Sequence, residues 1–476
     1  MRYLFTFIAI LFAVEVGAQS YVCFDEALAI MLANNRALSA ARYGVDASED
    51  ELRAARGLRY PRIDLMGGYA LLQRDVDVDI GGVKGVVTKS LESLIGDGLK
   101  SGIITPDIAS FLSAGLAPIS SLDWRYTLQE RSFATFGAAL TVPIYMGGRI
   151  NIANRAARLK LEADIYTLNA AENRLLTELV ERYYGVVLAE HVIAVRREVL
   201  EGVDKHLSDA IAMEQEGILA HSAVLYLEYR RSSAVRDLTE AEHKLEVAKR
   251  ALSTTMNVDD GILPSGRLFT LDGIHSLDYY IDNANKVNPI LCRAMTDATL
   301  ANEGVKLSRA EFLPEVAAMA GGSIYSYNLS NMVPRWAVGI GAKITLFDGL
   351  GKEYRYRASK RKSLQVSELV ENARSEIELL VEKEYYAVTN SLVAIEVCSR
   401  SVEFAESYLH SAAEGFSEGV TSSADLVDAR VEYAAARVEY LNAVYGFITS
   451  LARLLEASGL SSEFIFLVDL GEKIDV

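Results

Sequence analysis

Few residues of this chain have the types and spacing that catalysis requires. Its six histidines are scattered, and none belongs to an H-E-x-x-H pattern, which places two zinc ligands on one helix face. The segment from Gly349 to Lys352 contains the glycine and lysine of a phosphate-binding loop, but Glu353 follows where that loop needs serine or threonine. The sequence therefore predicts that the protein is not an enzyme and uses no cofactor or metal ion. The six histidines are His191, His206, His221, His243, His275 and His410.

Asp425 and Asp428 are the carboxylate pair whose spacing is most informative. Residues three apart on a helix are neighbours on its surface, so the pair would concentrate negative charge there. Aspartate near the start of a helix is also favoured by the positive end of the helix dipole. At the corresponding helix start in the first half of the chain stand Ala223 and Tyr226, so the turn itself does not require carboxylates. Taken alone, the pair favours an ordinary solvated helix start.

The composition argues against nucleic acid as a partner and indicates export. The 476 residues carry 48 lysines and arginines against 64 aspartates and glutamates, a net charge of −16 that would repel a phosphate backbone. Residues 1–18 contain one basic residue, an apolar run and small residues near the end, which predicts a secretory signal peptide; a buried N-terminal helix is the alternative. No later run reaches the roughly 20 apolar residues of a membrane helix.

The chain contains two copies of one sequence repeat. Matching residues are first 253 positions apart, as in Pro61 and Pro314, and later 202 positions apart, as in Gly217 and Gly419. The change of offset means that the first copy has about 51 additional residues. Internal repeats of this kind determine the fold, so each copy is expected to form the same elements. The predicted parts are a first repeat at residues 19–257, a second repeat at residues 258–459 and a C-terminal tail at residues 460–476.

Each repeat contains two segments in which apolar residues alternate with small or polar ones. Period-two alternation over ten or more residues predicts a strand with two different environments. The apolar face, with aromatic residues near the strand ends, is typical of a membrane barrel, and the small or polar face suits a water-filled lumen. A soluble β-sandwich is the alternative, but four strands are too few for a large sandwich core. The predicted strands are residues 60–73, 133–146, 314–327 and 335–347.

Four strands cannot close a membrane barrel. Unpaired strand edges are not tolerated in lipid, and about eight strands is the practical minimum for closure. The sequence therefore predicts an oligomer whose subunits pool their strands into one barrel.

Long helical patterns follow the second strand of each repeat. The two junctions contain glycine, because the chain must pass from sheet to helix within a few residues. Each long helix turns at a glycine and returns as a second helix. The returning helices carry one seam of large residues and one of small residues, which indicates a wall or cylinder of helices. The predicted helices are residues 150–216, 222–256, 353–418 and 424–457, and the junction residues are Pro143, Gly147, Gly148, Gly349 and Gly351.

Several motifs of both repeats resemble those of the TolC-type outer-membrane efflux family. The most specific are V-P-I-Y-M-G-G-R at residues 142–149, I-T-L-F-D-G-L-G at residues 344–351 and S-A-D-L-V-D-A-R at residues 423–430. The resemblance covers nearly the whole mature chain. It implies a mainly α-helical fold with a membrane β part, in which a homotrimer forms a 12-stranded β-barrel on an α-helical periplasmic tunnel.

The resemblance also implies a function and partners. Channels of this family lie in the outer membrane, in contact with its lipid, and extend into the periplasm. They work there with a periplasmic adaptor and an inner-membrane pump of the RND or ABC type. We therefore expect a passive exit duct for drugs, dyes and toxic compounds. The alternatives are the exit duct of a type I protein secretion system, which shares the fold, and a periplasmic coiled-coil stalk without a pore.

The family's gate and adaptor-contact residues correspond to the helix turns of this chain. In a trimer, Asp425 and Asp428 would place six carboxylates around the narrow periplasmic end, where they would attract cations. Thr421 stands where well-studied members have a basic residue that helps to lock the closed tip, so we expect the lock elsewhere. The turn residues assigned to adaptor contact are Gly217, Ile218, Leu219, Gly419, Val420 and Thr421.

The additional segment of the first repeat, at residues 74–131, lies between two strands that the family joins outside the cell. It contains apolar residues at helical spacing, among them Leu91, Leu94 and Leu99. Our hypothesis is an extracellular cap that partly covers the barrel mouth or folds into it. A disordered surface loop, the alternative, fits less well with so many apolar residues.

Overall fold

The computed structural model of the chain describes residues 20–259 and 261–474. The signal peptide predicted at residues 1–18 lies outside the described residues. Among the helices described, none has both the length and the apolar composition needed to cross a membrane. The three cysteines are free thiols, of which Cys23 is exposed and Cys398 is buried.

The chain divides into two compact units. The helical unit comprises the chain up to Arg53, Asn154–Val305 and the chain from Arg357 onward, and the strand unit comprises Ala54–Ala153 and Lys306–Tyr356. The strands are β1 (Ser20–Val22), β2 (Arg62–Leu71), β3 (Val76–Asp79), β4 (Arg125–Gln129), β5 (Ser132–Met146), β6 (Ile262–Pro264), β7 (Phe269–Thr270), β8 (Glu315–Tyr327), β9 (Trp336–Lys343) and β10 (Glu472–Lys473). The helices are α1 (Phe24–Asn34), α2 (Arg36–Gly57), α3 (Gly81–Lys100), α4 (Pro106–Ser121), α5 (Arg149–Gln215), α6 (His221–Met256), α7 (Leu277–Val287), α8 (Pro289–Ala310), α9 (Gly351–Ser417), α10 (Ser423–Ser458) and α11 (Phe464–Leu470).

The main sheet of the strand unit is antiparallel and has the order β2-β5-β8-β9, so β2 and β9 are its two edges. The four segments with alternating apolar residues form these four strands. β9 ends at Lys343, four residues before the predicted end at residue 347. The physical reason is that its partner β8 begins at Glu315, which pairs with Lys343, and residues 344–347 have no neighbouring strand in the sheet.

The two faces of β9 differ in side-chain size. Trp336, Val338 and Ile340 are large, apolar and mostly exposed in the single chain. Ala337 and Gly339 alternate with them and point to the opposite face of the sheet. The strand therefore has one broad apolar face and one face of small residues.

Gly137 allows β5 and β8 to approach each other at a shift in their register. The shift lies between Phe136 and Gly137. A Cβ atom at Gly137 would lie 2.4 Å from the carbonyl oxygen of Gly322, so a larger residue would push the strands apart. Glycine is required here by close backbone contact.

The additional segment of the first repeat is ordered and has four elements of its own. β3 and β4 form a two-stranded antiparallel ladder, and α3 and α4 form a helical hairpin between them. The Lys84 ammonium group closes the base of the hairpin by donating to the carbonyl oxygen of Leu122 at 3.0 Å. The helical spacing of its apolar residues is thus accounted for by two helices.

The long helices have the same lengths in both repeats. α5 and α9 each contain 67 residues, and α6 and α10 each contain 36. α5 begins directly after Gly147 and Gly148, whose φ angles are +61° and +83°, and α9 begins after Gly349 at +74°. Left-handed backbone of this kind favours glycine, which explains Gly147, Gly148 and Gly349. Gly351 is the first residue of α9, and its φ angle is not left-handed. The fold class, two repeats each with a long helical hairpin and two strands, is confirmed.

A buried aromatic cluster joins the ends of the chain to α5 in the helical unit. Tyr183 and Tyr184 of α5 contact Phe24 of α1, and Phe464 of α11 also contacts Phe24, with ring centroids 5.4 to 6.0 Å apart. All four rings are nearly inaccessible to solvent. Four short strands lie near this cluster, and each has two or three residues. The sequence does not predict them, because they are too short to show an alternation of apolar and polar residues. These strands are β1, β6, β7 and β10.

Two buried asparagines, one in each repeat, make matching hydrogen bonds. The side-chain amide of Asn35 donates to the carbonyl oxygen of Thr255 at 2.9 Å, and that of Asn288 donates to Ala457 at 2.8 Å. Each asparagine also accepts, through its side-chain oxygen, from two backbone N–H groups at the start of the helix that follows it. The matched asparagines therefore cap α2 and α8 and hold each to the end of a returning helix.

Candidate functional site

The turns between the long helices have the same backbone geometry in both repeats. Gly217 and Gly419 adopt left-handed φ angles of +74° and +76°. The N–H group of Ile218 donates to the carbonyl oxygen of Met213 at 2.9 Å, and that of Val420 donates to Gly415 at 2.8 Å. This bonding ends each long helix with a left-handed C-terminal cap. It also leaves the side chains of Ile218 and Val420 exposed, by 76% and 81% respectively.

In the second turn, Thr421 packs on the last turn of α9. Its backbone N–H donates to the carbonyl oxygen of Gly415 at 3.1 Å. A Cβ atom at Gly415 would lie 2.3 Å from the Thr421 hydroxyl oxygen, so the absence of a side chain at Gly415 makes room for threonine. Thr421 thus contributes to the local shape of the turn.

Asp425 belongs to the N-terminal cap of α10. The backbone N–H of Asp425 donates to the Ser422 hydroxyl at 3.2 Å, and that hydroxyl donates to the Asp425 carboxylate at 2.6 Å. The side chain of Asp425 is otherwise exposed, near the positive end of the helix dipole. The carboxylate therefore supports the helix start and still faces solvent.

Asp428 has two partners on the other returning helix. The Tyr226 hydroxyl donates to one of its oxygens at 2.8 Å, and the Arg230 guanidinium lies 2.7 Å from the same oxygen. The guanidinium also lies 5.9 Å from the centre of the Tyr226 ring. Half of the Asp428 side chain remains exposed. The carboxylate is therefore part of a three-residue link between α6 and α10, in addition to facing solvent. From the sequence alone, Tyr226 is only the residue that stands where the second repeat has an aspartate.

A buried histidine on α5 packs against the end of α9. His206 of α5 is 91% buried, and its ring contacts the ring of Phe416 edge-on, with the centroids 5.8 Å apart. Its Nδ1 atom has no hydrogen-bond partner among the described residues. Burial first, and the positive charge of Arg430 second, lower the pKa of His206. The sequence contains no signal for a role of this histidine, because its counterpart in the second repeat is Tyr408.

Ion pairs join α5 to both returning helices. Arg231 of α6 pairs with Asp204 at 2.6 Å, and Arg437 of α10 pairs with Glu198 at 2.6 Å. Most of the side chains are partly exposed, so each pair contributes at most about 1 kcal/mol. Together they add polar contacts between α5 and the two returning helices.

The strand-to-helix junctions of the strand unit carry a charged cluster. Arg355 pairs with Glu311 at 2.8 Å and with Asp348 at 3.0 Å. The Lys352 ammonium donates to the carbonyl oxygen of Thr345 at 2.6 Å. These contacts connect the loop after β9 to the start of α9 and to the end of α8. They surround a cavity of about 500 Å³. The cluster therefore holds the first turn of α9 to the loop that precedes it.

Comparison with known proteins identifies the family. The model of the outer membrane efflux protein family matches residues 27–258 and 280–460. The chain belongs to this family. It is therefore an outer-membrane channel protein of a transport family, and the prediction from the sequence motifs is confirmed. No group of histidine, cysteine, aspartate and glutamate side chains in the described part of the chain could hold a metal ion.

Three curated relatives have low identity to this chain. The outer membrane protein TolC of Vibrio cholerae is 21% identical over 317 residues, which cover 64% of this chain and 72% of the relative. TolC of Escherichia coli is 19% identical over 321 residues, or 62% of this chain and 64% of the relative. The alkaline protease secretion protein AprF of Pseudomonas aeruginosa is 24% identical over 302 residues, or 61% of this chain and 62% of the relative.

Solved structures share the fold over more of the chain. The Campylobacter jejuni CmeC outer membrane channel has a TM-score of 0.71 and 15% identity, covering 94% of this chain and 90% of that one. The open-state MtrE outer membrane channel of Neisseria gonorrhoeae has a TM-score of 0.69 and 16% identity, covering 92% and 89%. The architecture of this chain is therefore that of an outer-membrane channel.

Proposed function

We propose that the protein is the passive exit duct of a tripartite efflux system and that it acts as a homotrimer. The observation that carries the proposal is the four-stranded sheet with two open edges, β2 and β9, in a chain of an outer-membrane family. Open edges are not tolerated in lipid, so each must pair with another copy. Three copies supply twelve strands, enough for a closed barrel in contact with outer-membrane lipid.

The two faces of the strands support a water-filled pore. A lipid-facing surface needs large apolar residues, which Trp336, Val338 and Ile340 supply on β9. The opposite face carries Ala337 and Gly339, which would leave space for water. A periplasmic stalk without a pore would need neither face. The long helical hairpins then supply the periplasmic tunnel.

The cargo we propose is small molecules such as drugs, dyes and toxic compounds, exported with a periplasmic adaptor and an inner-membrane pump of the RND or ABC type. The name of the relative AprF, an alkaline protease secretion protein, favours a second candidate, the exit duct of a type I protein secretion system. The two functions share the fold and differ in the pump. Deleting the gene should lower resistance to dyes in the first case and stop secretion of a specific protein in the second.

The helix turns are the proposed gate and adaptor contact. The exposed apolar side chains of Ile218 and Val420 are suited to pack against an adaptor. Asp425 and Asp428 are suited to form a ring of six carboxylates in a trimer. The residues at which adaptor contact is proposed are Gly217, Ile218, Leu219, Gly419, Val420 and Thr421.

We further propose that Arg230 replaces the basic residue missing at Thr421 as part of the closed-state lock. The support is its position 2.7 Å from Asp428, which connects α6 to α10 within one chain. The guanidinium lies on α6 and not at the turn, so the lock would hold the two returning helices together.

Reconstitution of the purified mature protein into planar lipid bilayers tests the pore. We expect cation-selective single-channel currents. Protein that is folded and trimeric in detergent but produces no current under any voltage or salt gradient would overturn the channel proposal and leave the stalk as the better explanation.

A further inference from the structure

The α3–α4 hairpin exposes large apolar side chains that the single chain does not cover. Among the described residues of the hairpin, Ala109 alone is buried. Ile103, in the connection between the helices, is 80% exposed, and Phe111 of α4 is 79% exposed. Contiguous apolar surface of this kind on an ordered element marks a contact with another molecule.

The two helices of the hairpin also leave an apolar groove between them. The groove has a volume of about 680 Å³, and its walls include Leu94, Ile95, Ile104 and Leu112. A Cβ atom at Gly98 would lie 3.3 Å from the Ile104 side chain, so glycine at this position keeps the helices close to the connecting loop. The groove is large enough to accept an aromatic side chain.

The β3–β4 ladder that carries the hairpin is hydrogen-bonded to the main sheet and to the β8–β9 connection. The N–H group of Leu72 donates to the carbonyl oxygen of Arg131 at 2.6 Å, which extends the β2–β5 ladder toward β3 and β4. The side chain of Gln129 donates to the carbonyl oxygen of Asn328 at 2.7 Å and accepts from the N–H group of Ser330 at 2.8 Å. These contacts therefore hold the β3–β4 ladder, from which the hairpin extends, to the main sheet.

The place of the hairpin in the fold points to a second copy as its partner. β2 is an open edge of the sheet, and the hairpin follows from the end of β2 that is opposite the strand-to-helix junctions. In the proposed trimer this edge pairs with a neighbouring subunit, which brings the neighbour's hairpin to the same end of the barrel. The contact between hairpins would continue the contact between strands.

Charge and symmetry agree with this partner. The hairpin carries three basic and three acidic residues, so copies of it do not repel one another. A head-to-tail contact, in which each copy offers one protrusion and one groove, closes into a ring in a cyclic trimer. The charged residues are Lys84, Lys89, Lys100, Glu92, Asp97 and Asp107.

We propose that Phe111 of each subunit inserts into the α3–α4 groove of the next subunit, so that three hairpins interlock into a ring at the mouth of the barrel. The proposal rests on the trimer put forward as the functional state. It gives the additional segment of the first repeat a defined role: the segment fastens the subunits together at the end of the barrel far from the long helices.

Disulfide cross-linking of the full-length protein tests the contact. Leu94→Cys with Phe111→Cys places one thiol in the groove and one on the protrusion. Mild oxidation should yield a covalent trimer on a non-reducing denaturing gel. The matched control is Lys89→Cys with Phe111→Cys, because Lys89 lies on the face of α3 opposite Gly98. The unmodified protein, which retains Cys23, Cys292 and Cys398, is oxidised in parallel.

The oligomeric state is measured independently by light scattering in detergent. A trimer that gives no more covalent product than the Lys89 control would overturn the interlocked ring, and would favour lipid as the cover of the apolar surface. Absence of a trimer would overturn the proposed functional state itself. The two failures are therefore distinguishable.

A second measurement does not depend on disulfide geometry. Phe111→Asp places a charge where an apolar side chain is needed, so the trimer should dissociate at a lower temperature on a semi-denaturing gel. Lys89→Asp changes the charge of the hairpin on the opposite face and should leave that temperature unchanged. Equal dissociation temperatures for Phe111→Asp and the unmodified protein would contradict the proposal.

Discussion

The hydroxyl group of Tyr226 donates a hydrogen bond of 2.8 Å to Asp428, although the two residues occupy equivalent positions in the two repeats. They are 202 positions apart, which is the offset that relates the second parts of the repeats. The returning helices α6 and α10 therefore approach each other at matching points. Arg230 completes the link from one turn further along α6. Four predictions concern this region and the sheet.

Tyr226→Phe should loosen the contact between the returning helices. The ring is kept and the donor is lost, which leaves Asp428 with Arg230 alone at a cost of about 1 kcal/mol. If the link belongs to the closed state, single-channel recordings should show a higher conductance or a larger open fraction. Tyr229→Phe, on the same helix and largely exposed, is the matched control. Currents identical to those of the unmodified channel would exclude the link from the closed state.

Replacing both aspartates of the proposed gate should change ion selectivity. Asp425→Asn with Asp428→Asn removes six negative charges from a trimer, while Ser422 can still cap α10. The ratio of potassium to chloride permeability, measured from reversal potentials, should fall several-fold, and block by trivalent cations should weaken. Glu432→Gln removes an exposed carboxylate further along α10 and serves as the control. Unchanged selectivity in the double variant would reject the assignment.

The stability of the helical unit should depend on pH through His206. Burial and the nearby Arg430 lower its pKa in the folded chain, so the unfolded chain binds the proton more readily. The contribution of His206 is therefore complete above its ordinary pKa of 6.5 and is lost as the pH falls below that value. Asp209 acts in the opposite direction and Lys205 in the same direction as Arg430.

Thermal unfolding followed by circular dichroism checks this dependence between pH 7.5 and pH 5. His206→Gln should flatten the decline in unfolding temperature with falling pH. His410→Gln is the control, because that histidine lies on an exposed part of α9. An equal decline in both variants would assign the pH dependence to other groups.

Gly137→Ala should impair the sheet, because its Cβ atom would lie 2.4 Å from the Gly322 carbonyl oxygen. Forcing the strands apart is expected to cost about 1–3 kcal/mol. The yield of folded protein, and the resistance of the barrel to denaturation on unheated gels, should both fall. Gly339→Ala is the matched control, since no atom lies within 4 Å of the position that its Cβ atom would occupy. Equal yields would show that β5 and β8 can separate without loss.

The repeated pattern predicts most of the fold. The constant offset places the glycine turns, and the alternation locates the four long strands, because both signals extend over many residues. The predicted end of β9 is wrong, because the length of a strand depends on where its partner strand begins. In the additional segment the sequence indicates helices but not how they pack. The groove cannot be predicted, because it forms only when α3 and α4 meet.

The candidate site was predictable only in part. Asp425 and Asp428 are visible in the sequence as a carboxylate pair beside a turn. Tyr226 and Arg230 are not, because a contact between two helices depends on their rotation and offset in space. His206 is matched by Tyr408 in the second repeat and has no sequence pattern around it. Its significance follows from burial alone.

The equal lengths of the long helices limit how such a chain can change during evolution. An insertion of three or four residues into each helix of one hairpin would displace its connecting loop by about 5 Å, roughly one helical turn. The loop of the other hairpin would keep its position. A ring of contacts made by both turns with one partner would then be lost. Viable length variants should therefore alter both repeats together, and in steps of seven residues, which return each side chain to its original seam.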